Sequence, residues 1–134
     1  MKILILGGYG VFGGRLAELL SDLPAVELLI CGRNLANAQK FCAHYRGRAR
    51  VRPIQLDRRE IEDGLRSLMP DLVVDASGPF QDYGAERYGV ISSCIAAKIN
   101  YGASDLIACV RCIDLIQSHM GGHHAPADIF ECRL

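Results

Sequence analysis

Residues 2–14 read KILILGGYGVFGG. Lys2–Leu6 (KILIL) reads as a continuous apolar run, the pattern of a short strand buried on both faces of a parallel sheet. Glycines follow at once. Beyond them Leu16, Leu19, Leu20 and Leu23 recur at helical spacing, and Pro24 lies past the helix end. The stretch therefore reads as strand, glycine turn, helix.

The same alternation continues along the chain. Val26–Cys31 is a second apolar run, and Asn34 is placed to N-cap a helix running through Tyr45, with Leu35, Ala38, Phe41 and Cys42 on one face. Val51–Leu56 is a third strand, which Pro53 assigns to a sheet edge because proline cannot donate to a ladder. A helix over Ile61–Leu68 stops before Pro70. Leu72–Ala76 is a fourth strand, Glu86–Ala97 a helix and Ile99–Tyr101 a fifth strand. Strands alternating with helices imply an α/β fold: a Rossmann-type, doubly wound parallel sheet in a single three-layer domain. Residues 1–117 are expected to form that domain, with a last helix over Leu106–Gln117. Residues 118–134 lack a clear period and read as an irregular C-terminal tail.

Composition narrows the class. The chain has 134 residues, enough for one domain burying ~68–70% of its unfolded surface. With 50% hydrophobic and 22% charged residues it is neither disordered nor fibrous. Fifteen basic residues balance fifteen acidic ones, so nucleic acid and anionic membranes are not expected partners. No stretch approaches the ~20 apolar residues of a membrane span, and the amino terminus lacks a signal-peptide pattern. A cytoplasmic protein with six reduced cysteines is the expectation.

The glycine turn carries the chemistry. Gly8-x-Gly10-x-x-Gly13 fits the dinucleotide fingerprint in its required place, after a strand and at the start of a helix. In that reading Gly8 permits the tight turn, Gly10 lets the backbone approach a pyrophosphate, and Gly13 lets the helix pack on the strand. The helix N-terminus offers N–H groups and a positive dipole end to the phosphates. No Gly-Lys-Ser/Thr follows, so a nucleotide-triphosphate loop of the Walker kind is excluded. An NAD site would place a carboxylate at the end of the second strand; Glu27 instead opens that strand, which ends at Cys31-Gly32-Arg33-Asn34. Arg33 suits a 2′-phosphate, so NADP is favoured over NAD. Asp57, at the end of the third strand, either faces the adenine or caps the next helical segment. Ser77-Gly78-Pro79-Phe80 leaves the fourth strand at its C-terminal end, where ligands of open α/β sheets lie, and either lines the nicotinamide side or is a plain Gly-Pro turn.

The segments GGYGVFGGRLAELL (7–20), ICGRNLANAQKFC (30–42), PDLVVDASGPFQDYG (70–84) and CIAAKINY (94–101), in this order, resemble the NADP-binding domain of the saccharopine dehydrogenase family. The resemblance implies pyrophosphate contacts from Tyr9, Gly10, Val11 and Phe12. It implies a 2′-phosphate ribose held by Arg33 and Asn34, and a nicotinamide ribose approached by Ser77, Gly78 and Pro79. It also implies NADP-linked oxidoreduction on an amino-acid-type or related substrate. Members continue with Tyr-x-Asp and a large substrate-binding domain. Here the chain reads Tyr101-Gly102-Ala103-Ser104-Asp105, and the substrate domain is expected to be absent. The chain alone is then expected to bind NADP(H) and to turn over substrate poorly or not at all, and the surface such a domain would cover favours a homodimer or aggregates. A small-molecule substrate would require the second domain.

Other constellations are weaker. Cys109-x-x-Cys112 with His119, His123, His124 and Cys132 offers zinc-ligand types at irregular spacing, so no metal is assigned. Arg46, Arg48, Arg50 and Arg52 alternate and read as a solvated, charge-protected edge. Asp75 reads as structural, and Tyr83 and Tyr88 read equally as proton donors or as packing tyrosines, so no catalytic residue is named. The alternative from another class is a non-catalytic NAD(P)-sensing or protein-interaction module.

Overall fold

Successive side chains of a strand point to opposite faces, so an unbroken apolar run needs a hydrophobic layer on each side. In the computed structural model, which describes residues 1–78 and 88–103, the strands meet this demand. From β1 (Lys2–Leu6), β2 (Glu27–Gly32) and β4 (Leu72–Asp75), the residues Ile3, Ile5, Leu28, Ile30, Leu72 and Val74 enter one core layer. Leu4, Leu6, Leu29, Cys31 and Val73 enter the other. The first layer is closed by Leu16 and Ala17 of α1 (Val11–Leu19) and Ala38 of α2 (Leu35–His44). The second is closed by Ile61 and Leu65 of α3 (Ile61–Leu68) and by Val90 and Cys94 of α4 (Gly89–Ala97).

With β3 (Arg50–Gln55) and β5 (Asn100–Ala103), the strands form a five-stranded parallel sheet in the order β3-β2-β1-β4-β5. The chain winds outward from β1 to β3, then returns across the sheet to place β4 on the free side of β1. Leu6 stands level with Cys31 on β2 and Asp75 on β4, so three strands end side by side where the winding reverses.

Local chemistry sets the ends. Asn34 caps α2, its Oδ1 accepting from Asn37 N at 3.1 Å. Met69 and Lys98 stop α3 and α4 in left-handed conformations, with φ of 45° and 56°. Pro53 lies on an edge strand, paired only with β2. Arg50 and Arg52 fall in β3 whereas Arg46 and Arg48 precede it, and Arg52 Nε meets Glu27 Oε1 at 3.2 Å. β1 has the bounds the sequence reading gives, while those of β2 to β5 are shifted by one or two residues, since partner hydrogen bonds rather than apolarity fix them. Leu19 departs from expectation: it is half exposed, because the buried stripe of α1 runs through Gly13, Leu16, Ala17 and then Leu20. The proposed helix over Leu106–Gln117, the tail, Pro79, Phe80, Tyr83 and the Cys109–Cys132 group lie outside the described residues.

Helix α1 seats on β1 through Gly13, where a Cβ would stand 2.4 Å from the carbonyl oxygen of Gly7 and 2.7 Å from the Cα of Gly8. Both neighbours are backbone and have little room to yield. Gly13→Ala should therefore destabilise the domain by about 1–3 kcal/mol, the cost of overpacking. Leu19→Ala should stay within about 0.5 kcal/mol, as for other surface positions. Denaturant unfolding of both variants checks this; equal losses would mean that the helix seat is not tight.

The buried thiols give a second expectation. Burial raises Cys31 from 9.0 to about 12, with Arg52 opposing the rise, and raises Cys94 from 9.0 to about 12 with the charge of Asp75 adding to the effect. Folded Cys31 thus keeps its proton where the unfolded chain has lost it. Its contribution is complete below the unfolded pKa and is lost as pH rises toward the folded value. Unfolding free energy should fall between about pH 9 and 11, by up to ~1.4 kcal/mol per pH unit for this thiol. Cys31→Ala should flatten that slope; an unchanged slope would exclude Cys31 as its source.

Candidate functional site

Where the winding reverses, the turn after β1 meets the end of β4. Gly7 makes the turn: its φ is +71°, and a Cβ there would lie 2.5 Å from the carbonyl oxygen of Ala76. This corrects the expectation that Gly8 supplies the tight turn. Gly8 is instead wedged against β2. Its N–H donates to Cys31 O at 3.1 Å, and a Cβ would stand 2.9 Å from Ile5 O and 3.1 Å from Ile30 Cα. Gly13 packs helix on strand, as its spacing predicts.

Gly10 N donates to Gly7 O at 2.8 Å, and the helical ladder begins with Gly14 N to Gly10 O at 2.8 Å. The N–H groups of Val11, Phe12 and Gly13 lie ahead of that ladder, and Gly10 has no side chain to cap them. The positive end of the α1 dipole is there too. The side chains of Val11 and Phe12 are 87% and 56% exposed, so the backbone is what this turn directs inward.

Tyr9 has a role that motif spacing did not reveal. Its Oη accepts from Asn34 N at 3.2 Å, and its ring covers Gly32, whose Cβ would come within 2.4 Å of the ring. The side chain thus joins the glycine turn to the turn after β2. Asn34, assigned to the ribose by resemblance, spends its side-chain oxygen on capping α2.

Beyond β2, Arg33, Gln55, Asp57 and Glu60 surround a cavity of about 340 Å³. Gln55 Nε2 donates to Arg33 O at 3.3 Å, tying the ends of β2 and β3 together. Asp57 is a cap: its Oδ1 accepts from Arg59 N at 3.0 Å at the start of a 3-10 turn, Arg58–Glu60. It also lines the cavity. Gln55 was missed, although its place at the end of a strand beside Asp57 was a usable signal. A larger groove of about 670 Å³ lies between α1 and α2, with Lys40, Phe41 and His44 among its walls. It runs along helices rather than at strand ends, so the smaller cavity is the candidate.

At the end of β4, Asp75 Oδ1 accepts from both Ser77 N at 3.1 Å and Ser77 Oγ at 2.6 Å. Asp75 Oδ2 faces Arg58 at 3.6 Å. Gly78 follows with φ of 145°. Ser77 and Gly78 are exposed and stand across the sheet's central gap from the glycine turn. Glu27 opens its strand and pairs with Arg52, at the opposite end of the sheet from the glycines. Cys31, Cys42 and Cys94 are free thiols. Among the described residues no helix is long and apolar enough to cross a membrane.

Solved structures share this fold. Saccharopine dehydrogenase (L-Glu forming) from Saccharomyces cerevisiae superposes with a TM-score of 0.59 at 21% identity, covering 84% of this chain and 23% of that one. Pseudomonas aeruginosa RhlG, in an NADP complex, gives a TM-score of 0.52 at 22% identity, covering 72% and 44%. The dTDP-glucose 4,6-dehydratase of Bacillus anthracis, in complex with NAD, gives 0.53 at 12% identity, covering 77% and 36%. The chain thus spans less than half the length of each. No curated protein matches the sequence significantly. The family model for the saccharopine dehydrogenase NADP binding domain matches residues 3–114, which is most of the chain and takes in every strand and helix described above except Lys2 of β1. The chain therefore belongs to the saccharopine dehydrogenase family as its NADP-binding domain.

Proposed function

We propose that NADP(H) lies extended along the C-terminal edge of the sheet, its pyrophosphate over the start of α1. The reading is carried by one arrangement: an uncapped helix N-terminus opens at the winding reversal, with the cavity that Arg33 lines on its β2 side. The backbone from Gly8 to Gly13, with Tyr9, Gly10, Val11 and Phe12 between them, receives the pyrophosphate through N–H groups and dipole. Arg33 offers its planar fork to the 2′-phosphate, and Asn34 holds the turn that presents it. Asp57 borders the adenine. Ser77, Gly78 and the following Pro79 meet the nicotinamide ribose.

Bound NADP(H) supplies the hydride; this domain binds and orients it. The resemblance to saccharopine dehydrogenase supports an oxidoreductase acting on an amino-acid-type substrate, with the substrate-binding groups supplied by sequence outside this domain. No described residue is assigned to proton transfer. The 134-residue chain alone should bind NADP(H) and show no turnover of saccharopine.

Calorimetric titration at fixed salt tests the reading. NADPH should bind in 1:1 ratio and more tightly than NADH. Arg33→Ala should weaken NADPH roughly tenfold or more, the effect of losing a charge-assisted hydrogen bond. NADH affinity should change less than about twofold, since that ligand lacks the phosphate Arg33 would meet. Equal losses would remove Arg33 from the 2′-phosphate site. Absence of binding by either dinucleotide to the folded chain would leave the glycine turn a structural device.

A further inference from the structure

Asp75 is the one charged residue buried among the described residues, with 4% of its surface exposed. It sits at the last position of β4, on the same face as Val73, where the rest of the layer is Leu4, Leu6, Cys31, Ile61, Leu65, Val90 and Cys94. An apolar side chain would satisfy that layer at lower desolvation cost, because burying an ion pair seldom adds net stability. The position therefore asks for a reason other than packing.

The geometry supplies one. A single oxygen, Oδ1, takes both the backbone N–H and the hydroxyl of Ser77, at 3.1 and 2.6 Å. That double contact fixes the direction in which the chain leaves β4, just before Gly78 takes φ of 145°. The other oxygen, Oδ2, is enclosed and receives no hydrogen bond; its countercharge is the Arg58 guanidinium at 3.6 Å. Arg58 opens the 3-10 turn that Asp57 caps, and Asp57 and Glu60 of that segment line the cavity beside Arg33. One carboxylate thus touches both sides of the crevice: the exit of β4 through Oδ1, and the turn after β3 through Oδ2.

We propose that Asp75 is a positioning residue for the nucleotide, holding Ser77 and Gly78 in the conformation that receives the nicotinamide half and locking them to the Arg58 turn on the adenine side. It does not touch the ligand; it acts through Ser77. This rests on the nucleotide reading above. The two halves of the cofactor are then unequally sensitive to Asp75. The adenosine half sees walls built by Arg33, Gln55 and the capped turn, whereas the nicotinamide half sees a segment whose direction Asp75 sets.

The test compares two ligands on the full chain. NADP⁺ spans the whole crevice; adenosine 2′,5′-bisphosphate carries only the adenosine and its phosphates. In Asp75→Asn, the Kd of NADP⁺ should rise on the order of tenfold, the factor expected for weakened hydrogen bonds to a charged group. The Kd of the bisphosphate should change less than about twofold, because its walls keep their own hydrogen bonds. Its retained binding also reports that the variant is folded. Adding Ser77→Ala to Asp75→Asn should cost less than the sum of the two single losses, since the two share the Asp75–Ser77 contact. Unchanged NADP⁺ affinity, equal losses for both ligands, or additive losses in the double variant would each overturn the assignment. Ser77→Ala alone, at an exposed position, keeps the question decidable where Asp75→Asn does not fold. It should show the same selective loss at about threefold, as for one neutral hydrogen bond, and a loss for both ligands or for neither would overturn the role. A wild-type chain that binds neither ligand would instead sink the nucleotide reading itself.

Discussion

The rest of the molecule depends on the contact between Gly13 and the carbonyl of Gly7. A strand and the helix that follows it can come this close only when no Cβ stands between them. The helix then begins directly over the end of β1 instead of being displaced toward solvent. Gly7 is constrained on its other side as well, against Ala76 and Ser77 at the end of β4. The turn is therefore held between its own helix and the strand across the winding reversal. Its left-handed φ of 71° is the backbone cost of that placement, and glycine is the residue that bears it at least strain. The aimed N–H groups, the crevice and the facing of Ser77 toward the turn all follow from this one seat.

Charge is arranged around that seat with a clear division. The ion pairs Arg15–Glu18, Arg66–Glu62 and Arg66–Asp63 lie on exposed helix faces, where such pairs contribute ~0–1 kcal/mol and weaken with salt. Arg52–Glu27 ties the sheet edge at the end remote from the glycines. Among the described residues, only Arg58–Asp75 is largely withdrawn from water, and it lies at the C-terminal end of the sheet, by the glycine turn. Breaking such a pair strands a charge in an apolar layer, so it resists rearrangement even where it adds little net stability. On the proposed reading, such a pair would hold the exit of β4 and the Arg58 turn in one arrangement for a long, flexible ligand.

The sequence made the layers legible because each central strand carries apolar residues at consecutive positions. Ile3 and Leu4 cannot both be buried unless two layers exist, so the α/β class follows from β1 and β2 alone. The cap at Asn34 was legible for the same local reason, since the accepting side chain and the donor N–H of Asn37 lie three residues apart. Leu19 misled because leucine at helical spacing marks a face only when its neighbours agree, and here Gly13 and Ala17 define the stripe. Two glycines in succession hid which of them turns. Gly7 and Gly8 differ only in what stands across from each, Ala76 for one and Ile30 for the other, and that is tertiary information. Tyr9 meeting Asn34, and Asp75 meeting Arg58, join residues 25 and 17 positions apart through the fold, where no spacing rule reaches. The glycine fingerprint was thus readable as a motif, while the side chains that shape the crevice around it were not.

On the proposed reading, the preference for a 2′-phosphate has a steric component beside the electrostatic one. A carboxylate that selects NAD stands at the end of the second strand and hydrogen-bonds the ribose hydroxyls. The last residue of that strand here is Gly32, and Tyr9 lies over it so closely that a Cβ would approach the ring to 2.4 Å. The ring's hydroxyl also accepts the backbone N–H of Asn34. A side chain at position 32 would have to displace the ring and that hydrogen bond, which disfavours a carboxylate there. The next residue, Arg33, lines the cavity and brings the opposite charge. Tyr9 therefore ties cofactor choice to the geometry of the glycine turn: the ring that joins the two turns also disfavours a carboxylate at the position from which NAD would be selected.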